Sequence, residues 1–384
     1  MDQPTAPNAQ LELSFHTSLA EIEASEWNAL AGLSDPFTRY EFLSALEKHN
    51  CVGQEYGWYP YHLAVRDQDH MLIGACPLYI KTNSYGEFVF DWSWASAYER
   101  AQLEYYPKMV CSVPYNPVTG ARLLCASKDI KKIMVEQIIK LGEQMKMSGV
   151  HFLFTNQEDT QICEDLDLQQ RLGCQYHWHN HNYRDFDDFI ASFVSRKRKK
   201  VKRERRKVQE QNISFELITG DQASPQQIAT AHKYYVSTFD RKSGLPTLSL
   251  GFFKQIASTM GQQLLFIFAL YDNSPIACAI CFKSDDTLFG RFWGCEQEYD
   301  SLHFETCFYQ GIDYCIAHKL QCFEPGAQGE HKITRGFLPT KTRSMHWIAH
   351  PQFRTPIYEF CQREIKGINH QCSELMSLSP YRDD

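Results

Sequence analysis

The sequence predicts an α+β fold made of two similar halves, with mixed sheets flanked by helices, and three observations lead there. A chain of 384 residues with 43% hydrophobic and 14% aromatic content exceeds one ordinary core and divides naturally into two domains. The order strand, two helices, hairpin, strand, helix, strand occurs twice, as in a duplication. The two hairpins also correspond: YHLAVRDQDHMLIGACPLYIKTN and LLFIFALYDNSPIACAICFKS each read apolar strand, polar turn, small residue, apolar strand. The expected division is 1–182 and 183–384, the second domain opening with a long basic helix at about 185–211.

In the first half, residues 11–15 alternate as a short strand. Residues 19–30 set Ile22, Trp27 and Leu30 at helical spacing, and 39–49 form a second helix. Apolar runs at 61–66 and 71–82 flank a polar turn at Asp67 and Asp69. An aromatic-rich passage follows in which Phe88, Phe90, Trp92 and Trp94 alternate, then a strand at 109–113, a helix at 128–147, and strands at 151–155 and 175–180. In the second half, 213–219 is a strand. Ser224 and Pro225 are an N-cap and first-turn proline opening a helix to Phe239, and 250–260 is a further helix. The hairpin turns at Asp272, Asn273 and Ser274, followed by a strand at 287–295, a helix at 302–320 and a strand at 321–323.

Charged residues make up 22% of the chain, an average share, so disorder is not expected beyond the polar first ten residues. A formal charge of -7 argues against a protein that coats nucleic acid globally, while leaving room for a local basic site. The fourteen cysteines run through apolar stretches, the pattern of reduced, buried thiols. Cys278 and Cys281 have C-x-x-C spacing inside a strand with no second pair at zinc-ribbon distance, so core packing is expected there and no metal. No run approaches the roughly 18 apolar residues of a membrane helix, and nothing signal-like begins the chain, which makes the cytoplasm the expected location.

Charge concentrates in SRKRKKVKRERRKVQ, where residues 196–207 hold ten cations over an apolar stripe of Phe186, Phe189, Ile190, Phe193, Val194, Val201 and Val208. Arg196, Lys197, Arg198, Lys199, Lys200, Lys202 and Arg203 suit a phosphate-rich partner such as transfer RNA, a nucleotide cofactor or an anionic lipid surface, because cations gain by releasing counterions. A solvated helix face is the plainer alternative. Chemistry concentrates in FEPGAQGEHKITRGF, residues 323–337, which gathers Glu324, Gln328, Glu330, His331, Lys332 and Arg335 around three glycines. Gly326 and Gly329 can take conformations closed to other residues, so this is a shaped loop. His331 exchanges protons near neutral pH, and a partly buried Glu324 or Glu330 would as well.

Other constellations are weaker. Gly120 and Arg122 in PYNPVTGARLL sit where a phosphate can meet backbone N–H groups and a cation. Asp91 and Glu305 are carboxylates in hydrophobic company, facing a site or hydrogen-bonded in the core. His177, His179 and His181 share one face of a strand, but no acidic or thiol ligand is tied to them by local spacing, so polar strand residues are expected rather than a metal site. The absence of G-x-S-x-G, a Walker loop and G-x-G-x-x-G disfavours serine hydrolase, P-loop and Rossmann chemistries.

The segments YGEFVFDWSWASAY, YYPKMVCSVPYNPVTGARLL, FDDFIASFVSRKRKKVKRERRKV, LFGRFWGCEQEYDSLHFETCFYQGIDYCI and FEPGAQGEHKITRGFLPTKTRSMHW together resemble the FemAB-like group of N-acyltransferases over nearly the whole chain. The resemblance implies tandem duplicated acetyltransferase-type (GNAT) domains and acyl transfer from an activated carrier to an amine acceptor. The Q/R-x-x-G-x-G/A motif of acyl-CoA-binding relatives is absent, so both acyl-CoA and aminoacyl-tRNA stand as donors, with no metal expected. Direct attack of a neutral amine on an ester or thioester needs a base and anion contacts. Glu324 or His331 are the expected base, Glu305 and Asp91 weaker catalytic candidates, and Lys332, Arg335, Gly120 and Arg122 the expected carrier contacts. The alternative is a non-catalytic protein that shows its basic helix to RNA or a membrane.

Overall fold

The computed structural model describes residues 11–382 apart from Ser243 and Gln328; the polar first ten residues and the loop's Gln328 therefore lie outside it. In chain order the elements are β1 (Glu12–His16), α1 (Ala24–Ala31), α2 (Tyr40–Lys48), β2 (Trp58–Pro60), β3 (His62–Arg66), β4 (Leu72–Cys76), β5 (Leu78–Lys81), α3 (Trp92–Arg100), β6 (Lys108–Cys111), α4 (Lys128–Gln144), β7 (Gly149–Leu153) and α5 (Gln157–Asp165). They continue as β8 (Gln169–His179), α6 (Phe186–Ala191), α7 (Ser195–Glu210), β9 (Ile213–Thr219), α8 (Pro225–Lys242), α9 (Leu250–Thr259), β10 (Leu264–Tyr271), β11 (Ser274–Lys283) and β12 (Thr287–Cys295). Last come α10 (Leu302–Phe304), a π turn (Glu305–Tyr309), α11 (Gln310–Ala317), β13 (Cys322–Glu324), a 3-10 segment (Glu330–Arg335), β14 (Leu338–Ile348) and α12 (Pro351–Met376).

The chain forms two interleaved compact units. One comprises residues 1–47, 52–171 and 343–362, the other 48–51, 172–342 and 363–384. Residues 343–362, expected in the second half, thus belong to the first unit: Ser344 to Ile348 of β14 pair antiparallel with β7.

In the first unit, β1, β3 and β4 form one small sheet, and β2, β5, β6, β7 and the end of β14 line up in a second. All its pairings are antiparallel except β6 with β7, which are parallel because α4 carries the chain back over the sheet. Leu63, Val65, Cys76, Met109, Met134, Ile138, Val150 and Phe152 fill its core. In the second unit the order is β8-β13-β12-β11-β10-β9, and the parallel pair is β12 with β13, spanned by α10 and α11. Each unit therefore holds one antiparallel hairpin followed by a strand, helix and parallel strand, the arrangement the duplicated pattern predicts.

Local chemistry explains the elements. The β10–β11 hairpin turns on Asp272 and Asn273, both at positive φ (48° and 56°), as a two-residue turn between right-twisted strands requires. Ser224 accepts from the Gln227 N–H at 3.2 Å, and the Gln227 side chain accepts from the Ser224 N–H at 2.9 Å, closing a capping box on α8. Gly294 lets α8 lie directly on β12: a Cβ there would stand 1.7 Å from the Tyr234 carbonyl oxygen. The alternating passage ends in a helix, α3, because Trp94 and Tyr98, four residues apart, bury one face.

The basic helix expected at 185–211 is two helices. Asp185 caps α6, and the chain then leaves helical geometry at Val194 (φ -60°, ψ 146°). Here the backbone pairs with the C-terminal segment instead: Val194 N–H donates to Pro380 at 2.8 Å, Arg382 N–H to Ser192 at 2.9 Å, and Phe193 bridges Tyr381. All fourteen cysteines are free thiols. Among the described residues no helix is long and apolar enough to cross a membrane.

Candidate active site

Helix α7 presents its cations on one side and an apolar stripe on the other, and the stripe contains one acid. Val201, Glu204 and Val208 are its buried residues. Glu204 accepts from Arg335 Nη2 at 2.7 Å and Nε at 3.1 Å, and also from the Tyr309 hydroxyl. This forked pair fastens the basic helix to the 3-10 segment of the loop. Arg335 also stacks over Phe304, its guanidinium carbon 3.4 Å from the ring centre, and donates through Nη1 to the His331 carbonyl at 2.7 Å. Glu204 and Tyr309 were not among the residues singled out by sequence; the 3,4 spacing of Glu204 with Val201 and Val208 is the signal that marks it as a core acid.

His331 is exposed at the edge of an aromatic cluster, its ring centre 5.7 Å from Phe304, 5.9 Å from Phe308 and 6.4 Å from His303. Gly329, at φ 114°, makes room for it: a Cβ there would lie 2.5 Å from the imidazole. Partial desolvation by its neighbours, then the cations Arg335, Lys332 and Lys200, push its pKa below the ordinary histidine value, with Glu204 opposing. It is therefore an uncharged imidazole at neutral pH, the form that accepts a proton. Lys332 is buried and donates to the Gly326 carbonyl at 2.7 Å; burial brings it down to about 7. Glu324 ends β13 with its carboxylate 3.8 Å from His177 Nδ1. Glu305 lies in the π turn, a local widening of the helix often found at functional sites. It accepts from Arg205 Nε at 3.1 Å and Gln310 at 2.8 Å, and burial raises its pKa.

Glu324, His331, Lys332, Arg335 and Glu305 thus all belong to the second unit, as does α7. Asp91, Gly120 and Arg122 belong to the first unit, where Asp91 and Arg122 are buried. Arg122 is 1% exposed, donates to the carbonyls of Leu153 and Val118, and lies 3.7 Å from the Asp35 carboxylate. At the place where a phosphate was expected to meet backbone N–H groups, those of Arg122 and Leu123 donate to Asp159 at 2.6 and 3.1 Å. Gly120 is needed for the Asp35 carboxylate, which a Cβ would approach to 2.4 Å. Asp91 is buried with Lys108 and the Tyr105 hydroxyl. Burial alone would raise its pKa, but Lys108 outweighs that and holds it at about 2, while Glu87, bound to the same ammonium at 2.8 Å, is raised by burial to about 7. Of the three aligned histidines, His177 and His179 lie in β8 and His181 falls beyond its end.

Along α7 a concavity of 1130 Å³ is lined by Ser195 and the cations of the helix other than Arg205 and Lys207. Lys202 meets Asp187 at 3.0 Å, and Lys207 and Arg205 are paired with acids of the second unit. Among the described residues, no carboxylate pairs with Arg196, Lys197, Arg198, Lys199 or Arg203, a row of cations open to an anionic ligand.

No curated protein sequence matches the chain. Solved structures share the fold at low identity, among them three that align over most of both chains. FemX aligns at TM-score 0.52 and 10% identity, covering 88% of this chain and 98% of its own. The C-terminal domain of a putative lysylphosphatidylglycerol synthetase from Agrobacterium fabrum aligns at 0.53 and 8%, covering 86% and 92%. A conserved protein of unknown function from Bacteroides thetaiotaomicron aligns at 0.52 and 11%, covering 88% and 100%. The family model described as peptidoglycan biosynthesis/recognition matches residues 18–383, and the chain, with its duplicated α+β fold, belongs to that FemAB-like family.

Proposed function

We propose that the protein is an N-acyltransferase that moves an acyl or aminoacyl group from an activated carrier, acyl-CoA or aminoacyl-tRNA, to an amine. The observation that carries the reading is the Glu204–Arg335 pair, which couples a row of unpaired cations to a loop holding an uncharged histidine. Phosphates are common to both carriers, and the exposed face of α7 is suited to them. The amine attacks the carbonyl carbon, a C–N bond forms, and the carrier's oxygen or sulfur leaves. His331 takes the proton that the attacking nitrogen must lose. Lys332, buried next to the Gly326 turn, is the cation assigned to the developing oxyanion. Arg335 is occupied by Glu204 and holds the His331 backbone; we assign it a positioning role, and Glu305 likewise fixes the π turn through Arg205.

The test is equilibrium binding of the purified protein to an acyl-CoA panel and to charged and uncharged tRNA at near-physiological salt, followed by turnover with amine acceptors. Saturable binding of one donor, weakened by Lys199→Glu and Arg203→Glu, is expected. His331→Ala should keep that binding and lower turnover by about 100-fold, the low end of what a general base contributes. Unchanged turnover in His331→Ala would remove the histidine from the mechanism. Equal binding of charged and uncharged RNA with no turnover would favour the non-catalytic reading.

A further inference from the structure

The histidines of β8 lack an acidic or thiol partner nearby in sequence, and the sheet supplies both. β13 pairs antiparallel with β8 so that Cys322 lies opposite His179 and Phe323 opposite Trp178. One step further, the 3.8 Å approach of Glu324 to His177 Nδ1 fits the same register. Side chains two apart on a strand share a face, so His177 and His179 from one strand meet Cys322 and Glu324 from the other. A ring nitrogen of His177, the Cys322 sulfur and a Glu324 oxygen all lie within 4.8 Å of one another.

We propose that His177, Cys322 and Glu324 form a binding site for a borderline-soft divalent metal ion of the zinc class, with a water or other external ligand completing the tetrahedron. One nitrogen, one sulfur and one oxygen donor is a set zinc accepts in tetrahedral geometry, and a thiolate disfavours magnesium and calcium. The imidazole is prepared for the role. Its Nε2 faces the Gln175 side-chain oxygen at 3.3 Å, which accepts the ring N–H and leaves the Nδ1 lone pair toward Glu324. On binding, the Cys322 S–H bond breaks, its proton passes to solvent and the sulfur donates a pair to the metal. Arg291, which acts on Glu324, and Lys332, which acts on His177, are the cations facing the site. A dication is compatible with them because the thiolate and carboxylate cancel its charge. The ion would pin the exit of β13, from which the loop bearing His331 departs. The site stands on the ladder alone and does not depend on the acyl-transfer reading.

The experiment is titration of the chelator-treated full chain with cobalt(II) and zinc, read by thiolate-to-cobalt charge-transfer absorption and by bound metal per chain. One equivalent with a charge-transfer band is expected. Cys322→Ser should abolish the band, and Glu324→Gln should weaken binding about tenfold or more while circular dichroism stays unchanged. Absence of saturable binding to the unmutated chain, or a band that survives Cys322→Ser, would overturn the proposal whatever the variants' stability.

Discussion

Replacing Glu204 with Gln tests the link between the basic helix and the loop. The substitution keeps the size and leaves an oxygen for the Tyr309 hydroxyl, but it strands the Arg335 guanidinium, which is 2% exposed. At the 2.7 Å separation of Arg335 Nη2 and Glu204 Oε1, an effective dielectric near 20 gives about 6 kcal/mol of attraction before desolvation is counted. Desolvation offsets part of this, so breaking the pair from one side should cost about 3–5 kcal/mol, because a buried charge is left uncompensated. Removing both charges in Glu204→Gln/Arg335→Met should cost less than about 2 kcal/mol, since the desolvation penalty vanishes with the attraction. Because the protein has two compact units, the loss is best read locally, by hydrogen exchange in peptides from α7 and residues 330–335. Donor binding should change little, while turnover falls as the His331 carbonyl loses its anchor. Single-variant costs that simply add in the double variant would show that the pair does not couple the two segments, and the reasoning would fail.

Three further outcomes follow from the same structure. His151 and His346 face each other, Nδ1 to Nδ1 at 2.8 Å, fully enclosed. Burial brings His151 to about 3 and holds His346 well below the ordinary value, so in acid the unfolded chain binds protons that the native state refuses. Stability should therefore fall as pH drops below 6.5, by about 1.4 kcal/mol per pH unit for each ring, and His346→Gln should flatten the slope in urea unfolding; an unchanged slope would refute the assignment. Gly294→Ala should cost more than about 4 kcal/mol and disrupt the second unit, because its Cβ would meet the Tyr234 carbonyl at 1.7 Å. Gly367→Ala in α12, where nothing lies within 4 Å, should instead stabilise by about 0.5–1 kcal/mol. Thermal scans of the two variants compare them directly.

Periodicity and turn chemistry revealed most of the fold because they act over a few residues. The strands at 213–219 and 287–295 agree with the structure residue for residue, and the Asp272–Asn273 turn lies where its φ preferences place it. The break between α6 and α7 was hidden because its cause, the segment around Pro380 and Tyr381, is nearly 190 residues away. The loop itself was visible from its glycines, all three at positive φ. Its partners were not: Glu204 lies 131 residues from Arg335, and Cys322 meets the β8 histidines only through strand pairing. The duplicated pattern also could not tell that β14 completes the first unit, since a strand's sequence records its faces but not its neighbour.

The placement of β14 bears on how the protein can be made. As the chain leaves the ribosome, the first 182 residues emerge with β7 paired on one side only, to β6. Its other edge waits for Ser344 to Ile348, nearly two hundred residues later. Every residue of β7 is buried in the finished protein, so during synthesis, or in a fragment cut at the midpoint, an apolar strand with unpaired amides stands open to other chains. Separate expression of the halves should therefore yield aggregation from the first, and a version carrying residues 343–362 on a linker should remain dispersed.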